Sequence, residues 1–351
     1  MQKKIYLPAL LVVTGFFGYQ LFDAYTAKIH LTIPDKNSYS DGPYVFIEPE
    51  KLVSVRVNHG AVAHSELALE SLPTQFIDEL SEFKSNGKVA VLSDVHGQHD
   101  VFVTLIKNNN IIDENEDWSF GDGHFVITGD IFDRGPSVVE TLWLIQKLEQ
   151  QASDAGGKVH YLLGKHEYMV LQGDERYLHD KYLKTSELLK KPYKDLFAKD
   201  TVMGRWLRSK ATVIKVDDTL YTHGGISMSF SMHNKPLKEV NSDYRKTIDM
   251  IKKDIKVSDD FSKYHNSESP IWYRGYFKND LSADQVDAIL RKYGASRIVV
   301  GHTSQDEIKK LHEGQMFAVD TSIKRGESGQ ILFLEQGKAV RGTFNGEQEE
   351  L

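Results

Sequence analysis

Five short apolar runs, each followed within a few residues by an aspartate or a histidine, constrain the fold of this chain most strongly. The runs are three to five residues long, the length of buried strands, and span 89–92, 125–128, 159–163, 220–222 and 297–300. The polar residues that follow them are Asp94, Asp130, His166, His223 and His302. Because open α/β sheets bind ligands beyond the carboxyl ends of their strands, we expect these side chains to meet at one edge of a sheet.

Helical periodicity between the runs indicates the fold class. Apolar residues recur at helical spacing in 101–106, and Pro136 opens a second helical pattern that continues to residue 148. This β-α-β succession predicts an α/β fold with a largely parallel inner sheet and right-handed crossovers. We place a catalytic domain at 88–340, preceded by a small N-terminal β extension at 27–87 and followed by a polar C-terminal tail at 341–351. Residues 173–200 and 241–269 are expected to form caps over the site.

The first 26 residues predict a signal peptide or an N-terminal membrane anchor. Lys3 and Lys4 precede an uncharged, largely apolar run at 5–22, and Asp23 ends it. At about 1.5 Å per residue, a helix of this length approaches the roughly 30 Å hydrocarbon core. By the positive-inside rule, the rest of the chain would be exported or periplasmic, with residues 5–22 able to anchor it in the inner membrane. Cleavage and retention both stay open.

Charge and cysteine content narrow the classes of function. The formal net charge is -7 at pH 7, so the chain lacks the basic footprint of a nucleic-acid partner. It contains no cysteine, which excludes thiolate metal ligands, disulfide bonds and the cysteine-based route of phosphate ester hydrolysis. A metal-dependent hydrolase without cysteine has to bind its metal through oxygen and nitrogen atoms.

The polar residues after the strands have the composition of a site for two divalent ions. Asp94 and His96 can turn toward one ion, Asp130 can bridge, and His223 and His302 can complete the second ion. Two such ions about 3.5 to 4 Å apart can bind a phosphate and activate a water for in-line attack. Oxygen and imidazole donors suit Mn, Fe, Zn or Co, and the sequence does not select among them.

The motifs at these positions resemble those of the metallophosphatase, or calcineurin-like, superfamily. Residues 129–135 read Gly-Asp-Ile-Phe-Asp-Arg-Gly, which is the motif of the phosphoprotein phosphatase branch, and His-Gly-Gly at 223–225 and Gly-His at 301–302 agree with it. Residues 117–124 and 173–177 resemble the bacterial Shewanella-like phosphatases. The resemblance implies a β-sandwich flanked by helices and hydrolysis of phosphotyrosine, phosphoserine or phosphothreonine in proteins, or of a small phosphoester.

The resemblance also implies a role for each motif residue. Asp94, His96 and Asp130 would hold the first ion, and Asp130, His223 and His302 the second. His166 would protonate the leaving oxygen, while Asp133 accepts a hydrogen bond from its other ring nitrogen. Arg134 would bind phosphate oxygens through its planar guanidinium. Arg274, in Trp-Tyr-Arg-Gly at 272–275, is the candidate for a second phosphate contact.

One position departs from the family pattern. Lys165 stands where the family has an asparagine whose oxygen binds the second metal, and an ammonium has three donors and no acceptor. About 4 Å from a dication, it would be repelled by roughly 8 kcal/mol at an effective dielectric near 20. Either Lys165 turns away, or it ligates as a neutral amine, or the second site is weak.

Two alternatives to a protein phosphatase therefore stay open. A dinucleoside polyphosphate hydrolase of the same superfamily shares Gly-Asp-x-x-Asp-Arg-Gly, but its substrates are cytoplasmic and export argues against it. A catalytically impaired phosphate-binding protein, in which Lys165 replaces a metal's charge, would not need the other ligands or the pair of His166 and Asp133.

Overall fold

The structure is a computed structural model that describes residues 39–278, 281–335 and 337–351. The predicted signal or anchor segment and residues 27–38 of the predicted β extension lie outside these ranges. Within them, no helix combines the length and the apolar character that crossing a bilayer requires.

Two six-stranded sheets form the centre of the described fold. The first has the strand order β15 (Gln348–Glu350), β14 (Lys338–Gly342), β13 (Ile331–Glu335), β5 (Lys88–Leu92), β6 (His124–Ile127) and β7 (Lys158–Tyr161). The second has the order β11 (Lys309–Leu311), β12 (Met316–Ala318), β10 (Arg297–Val300), β9 (Thr219–Thr222), β8 (Val213–Val216) and β4 (Glu82–Phe83).

The alternation of side chains along β5 shows that the two sheets pack face to face. Val89 and Val91 belong to the same buried cluster as Tyr221 and Val299 of the second sheet. Ala90 and Leu92, which point the other way because successive strand residues face opposite sides, belong to the cluster that includes Phe102 of the following helix. Both faces of β5 are therefore buried, and the predicted β-sandwich flanked by helices is confirmed.

Helices cover the outer faces of the sandwich. They are α1 (His99–Asn108), α2 (Val138–Asp154), α3 (Lys165–Leu171), α4 (Asp180–Leu189), α5 (Val202–Ser209), α6 (Met228–Ser231), α7 (Leu237–Thr247), α8 (Lys252–Val257) and α9 (Ala283–Lys292). In α2, Val139, Leu142, Ile145 and Leu148 form one fully buried face, as the helical spacing predicts. Helix α2 packs on β7.

The predicted parallel pairing is correct for the central strands but does not extend through both sheets. Strands β5, β6 and β7 are parallel, as are β9, β10 and β12, but β13 runs antiparallel to β5 and β8 antiparallel to β9. Strands β8 and β9 are joined by a two-residue connection, and such a short hairpin makes its two strands antiparallel. The β-α-β pattern could not indicate the direction of β8 and β13.

The two ends of the described chain also form strands. A separate antiparallel sheet contains β1 (Asp41–Ile47), β2 (Leu52–Asn58) and β3 (Ala61–Leu67). A hydrogen bond from Trp143 Nε1 of helix α2 to the Pro43 carbonyl (3.0 Å) joins this sheet to the helices that flank the sandwich. The predicted polar tail at 341–351 needs correction, because β14 extends to Gly342 and β15 pairs with it. Strand β15 consists of exposed polar and charged residues, so it has no apolar pattern from which the sequence could predict a strand.

Candidate active site

The loops after five central strands converge at one edge of the sandwich, where the sequence places the polar residues. The parallel strands β5, β6 and β7 end there in one sheet, and β9 and β10 end there in the other. Six non-glycine residues of these loops have positive φ angles between 50° and 71°: Asp94, His96, Asp130, Asp133, Arg134 and His302. L-residues rarely adopt this conformation, and it concentrates at functional sites.

Glycines allow the loops to approach each other closely. A Cβ atom at Gly301 would lie 1.9 Å from Ser93 Oγ and 2.6 Å from Asp94 Oδ2. Ser93 Oγ donates to the same Asp94 oxygen (2.6 Å), as does the backbone N–H of His302 (2.9 Å). Gly301 thus lets the loop after β10 reach Asp94, and both donors fix its carboxylate.

Asp94, His96 and Asp130 surround a position suited to a divalent ion. His96 Nδ1 donates to the Phe132 carbonyl (2.7 Å), since a carbonyl can only accept, so the lone pair of the other ring nitrogen faces the carboxylates. His96 Nε2 lies 3.7 Å from Asp94 Oδ1 and 3.6 Å from Asp130 Oδ2. It is buried and has no hydrogen-bond partner among the described residues. A metal ion would satisfy this atom, and the carbonyl contact is the usual support for a ligating histidine.

His223 and His302 lie on the other side of Asp130. His223 Nδ1 donates to the Thr128 carbonyl (3.0 Å), which leaves Nε2 facing Asp130 Oδ2 at 3.0 Å. His302 Nε2 donates to the Trp272 carbonyl (3.2 Å), so the ring lone pair is on Nδ1, which lies 3.5 Å from Arg274 Nη2. The two rings are 4.9 Å apart between centroids. The structure therefore brings together the residues predicted for both ions.

Lys165 lies inside this second group of residues. It is the first residue of α3, is 7% exposed, and forms an ion pair with Asp130 Oδ2 through its Nζ atom. The same Nζ lies 3.2 Å from His223 Nε2. The first of the three alternatives from the sequence, a side chain turned away from the site, is therefore wrong. While Nζ lies there, the second group does not fit a second metal ion.

His166 and Asp133 form a hydrogen-bonded pair next to the first group. His166 Nδ1 contacts Asp133 Oδ2, and its Nε2 lies 3.8 Å from Asp130 Oδ2. Burial lowers the pKa of His166, whereas burial and the nearby Asp130 raise the pKa of Asp133. These opposite shifts favour a protonated Asp133 carboxyl that donates to Nδ1 of a neutral imidazole, whose own proton is then on Nε2. Nε2 is the ring atom available to a substrate.

The two carboxylates that face the candidate ion have lowered pKa values, in contrast to Asp133. Burial acts to raise the pKa values of Asp94 and Asp130, but His223 and Lys165 outweigh it and hold both pKa values below their ordinary range. Both groups are thus ionised at neutral pH, as metal ligands must be.

Glu167 is a buried site residue that the sequence reasoning missed. Its Oε2 accepts from the backbone N–H groups of Asp130 (2.9 Å) and Gly164 (2.7 Å), and its Oε1 from those of Ile131 (2.7 Å) and Phe132 (3.2 Å). Tyr161 Oη also donates to Oε1 (2.9 Å). One carboxylate therefore holds the loop that carries Asp130. A glutamate three residues after Gly164 at the start of a helix has the spacing of a capping box, and this was the available signal.

Two arginines lie at the mouth of the site. Arg134 is exposed, and its guanidinium lies 5.4 Å from the centre of the Tyr177 ring, which itself contacts His166. Arg274 is partly buried, donates to Thr303 Oγ1 (2.9 Å), and borders a pocket of about 390 Å³ that Trp272 also lines. Tyr177 belongs to the first predicted cap, and the second predicted cap contributes residues 265–268 to the pocket.

The chain is similar to known phosphatases over most of its length. The sequence profile of the calcineurin-like phosphoesterase family matches residues 87–306. Shewanella-like protein phosphatase 1 of Plasmodium berghei is 25% identical over 273 residues, 72% of this chain and 72% of that protein. Shewanella-like protein phosphatase 2 of Arabidopsis thaliana is 23% identical over 74% of this chain and 78% of that protein. A cold-active protein tyrosine phosphatase from a psychrophilic Shewanella species, known from its crystal structure, is 40% identical in sequence to this chain. The two structures align with a TM-score of 0.85 over 89% of this chain and 99% of that one.

Proposed function

This chain belongs to the calcineurin-like phosphoesterase family and is a phosphoester hydrolase, and we propose that it removes phosphate from phosphotyrosine in proteins with the help of a divalent metal ion. The observation that carries the proposal is the buried His96 Nε2, which faces Asp94 and Asp130 and has no hydrogen-bond partner in the described part of the chain, with the pair of His166 and Asp133 beside it. The name of the similar Shewanella protein supports phosphotyrosine as the substrate group. Phosphoserine, phosphothreonine and small phosphoesters are the competing substrates.

The residues of the chain have separate parts in the proposed reaction. A divalent ion held by Asp94, His96 and Asp130 would polarise a phosphoryl oxygen and lower the pKa of an attacking water. His166 Nε2 would donate its proton to the leaving oxygen while the proton of the Asp133 carboxyl moves onto Nδ1, and the contact with Asp133 also fixes the ring. Manganese, iron and zinc all suit these donors.

The two arginines would bind and orient the phosphoryl group. Arg134, exposed at the mouth, can donate two parallel hydrogen bonds from its planar fork. Arg274 lies 3.5 Å from His302 Nδ1 and borders the pocket, so it can approach the same group from there. Binding a dianionic phosphoryl group between the two would hold it for in-line attack.

Metal depletion and readdition test the proposal. We expect chelator-treated protein to lose turnover of p-nitrophenyl phosphate and of a phosphotyrosine peptide, and added Mn²⁺ to restore both. His96→Asn should remove the metal response, whereas His64→Asn, the same change at an exposed residue of β3, should preserve it. Turnover that survives complete metal removal, or an unaltered metal response in His96→Asn, would contradict the proposal.

The sequence of residues 5–22 supports a further proposal, that the protein is exported and is anchored in the inner membrane when this segment is retained. Fractionation of cells that express the full chain tests it. We expect the protein in the membrane or periplasmic fraction, and recovery of the full-length chain in the cytoplasm would contradict the proposal.

A further inference from the structure

Lys165 places a positive charge among the residues predicted to bind the second metal ion. Its ammonium lies between Asp130 Oδ2, with which it forms an ion pair, and His223 Nε2 at 3.2 Å. All the groups in this position are buried, and Lys165 itself is only 7% exposed. The ammonium donates to Asp130 Oδ2 and lies within hydrogen-bond distance of His223 Nε2, so it is in contact with both predicted ligands.

The spacing of the two acceptors is that of metal ligands. Asp130 Oδ2 and His223 Nε2 are 3.0 Å apart, and two ligands at right angles about 2.1 Å from one ion would be about 3 Å apart. The ammonium therefore takes a position with the geometry of a cation site. Because it is cationic and has no acceptor, it cannot share this position with a second divalent ion.

The surroundings of the side chain oppose its withdrawal. The small cavity of about 50 Å³ beside Lys165 is lined by two more lysines, Lys252 and Lys256, and by rings such as that of Trp272. No carboxylate is found among the described residues that line it. An ammonium moving out of contact with Asp130 would lose a buried carboxylate and approach two lysines, of which Lys252 is itself paired with Asp174 Oδ2 (2.6 Å).

We infer that the ammonium of Lys165 replaces the second metal ion, so that the protein binds one divalent ion per chain, at Asp94, His96 and Asp130. This inference rests on the proposed function. In this replacement, Lys165 is a permanent, non-exchangeable cation next to Asp130, the carboxylate predicted to bridge two ions. The metal-free protein then keeps one of its buried carboxylates paired.

Metal stoichiometry of the full chain tests the inference directly. Chelator-treated protein is equilibrated with Mn²⁺, and bound metal is counted by mass spectrometry and titrated by calorimetry. We expect one ion per chain in the wild type and two in Lys165→Asn, whose amide oxygen is an acceptor. Lys165→Met removes the charge without adding a ligand, and we expect it to bind a second ion at least about tenfold more weakly than Lys165→Asn.

The control is Lys256→Asn, which removes a positive charge from the same cavity at an exposed residue that does not contact Asp130. It should keep one ion. As a second readout, metal-free Lys165→Met should melt at a lower temperature than the metal-free wild type, because Asp130 loses its partner.

The outcomes separate the inference from the proposed function. Two ions in a wild-type protein that turns over p-nitrophenyl phosphate, or a single ion in folded Lys165→Asn, would overturn the inference alone. A wild type with no bound ion and no turnover would overturn both. An unchanged melting temperature in metal-free Lys165→Met would also count against the inference.

Discussion

Replacing Glu167 by glutamine should weaken the loop that carries Asp130 without changing the shape of the side chain. The carboxylate is fully buried, and its two oxygens accept hydrogen bonds from four backbone N–H groups and one tyrosine hydroxyl. An amide has only one oxygen, and its NH₂ group would face donors on the other side.

The hydrogen bonds set the size of the effect. In its better orientation, the glutamine keeps its oxygen toward Ile131, Phe132 and Tyr161 and turns its NH₂ toward the N–H groups of Asp130 and Gly164. Losing two hydrogen bonds to a charged acceptor costs about 3–6 kcal/mol. Burial and the nearby Asp130 raise the pKa of Glu167, so removing the charge recovers part of this cost. We expect the free energy of unfolding to fall by about 2–4 kcal/mol.

Urea denaturation of the metal-free protein measures the change, with kcat and KM measured on the metal-loaded protein. The displaced Asp130 should lower kcat more than it raises KM, because a shift of about 1 Å at a reacting site can cost about 100-fold. Glu175→Gln is the matched control, since Glu175 is exposed, and it should change stability by no more than about 0.5 kcal/mol. If Glu167→Gln unfolds at the same urea concentration as Glu175→Gln, the assigned role of Glu167 is refuted.

Three further substitutions test the site. Asp130→Asn should lose the metal and several orders of magnitude in turnover while the fold survives, because Asp130 is the carboxylate nearest both His96 and His223; near wild-type turnover would contradict this, as measured with p-nitrophenyl phosphate. His166→Asn should slow alkyl phosphates more than aryl phosphates, whose leaving groups need no proton, and equal losses in parallel assays would argue against a general acid. Arg134→Lys keeps the charge but loses the bidentate fork, so KM for a phosphotyrosine peptide should rise about tenfold or more; an unchanged KM would show that Arg134 does not contact the phosphate.

The sequence predicted the convergence of the site residues because strand order determines it. Asp94 and His302 are 208 positions apart, yet the His302 N–H donates to Asp94 Oδ2, since both follow central strands that end at the same edge. The outer strands were less predictable: β13 is apolar like its neighbours, and nothing in its composition specifies an antiparallel direction. Strand β15 is made entirely of charged and polar residues, which is typical of a tail as well as of an exposed edge.

The site details that the sequence could not provide depend on side-chain direction. The helix that begins at Lys165 turns this side chain inward onto Asp130 and His223. The sequence left open whether Lys165 turned away, ligated as a neutral amine or weakened the second site. Glu167, two positions later, is visible as a capping residue, but its hydrogen bonds to the distant loop at 130–132 require the folded structure.

Anomalous diffraction from a crystal of the full chain equilibrated with Mn²⁺ shows whether this site is a metal centre. We expect an anomalous peak within about 2.5 Å of ligand atoms from Asp94, His96 and Asp130, and none at the position of the Lys165 ammonium. A crystal that contains manganese but shows no peak among these three residues would contradict the proposed metal site.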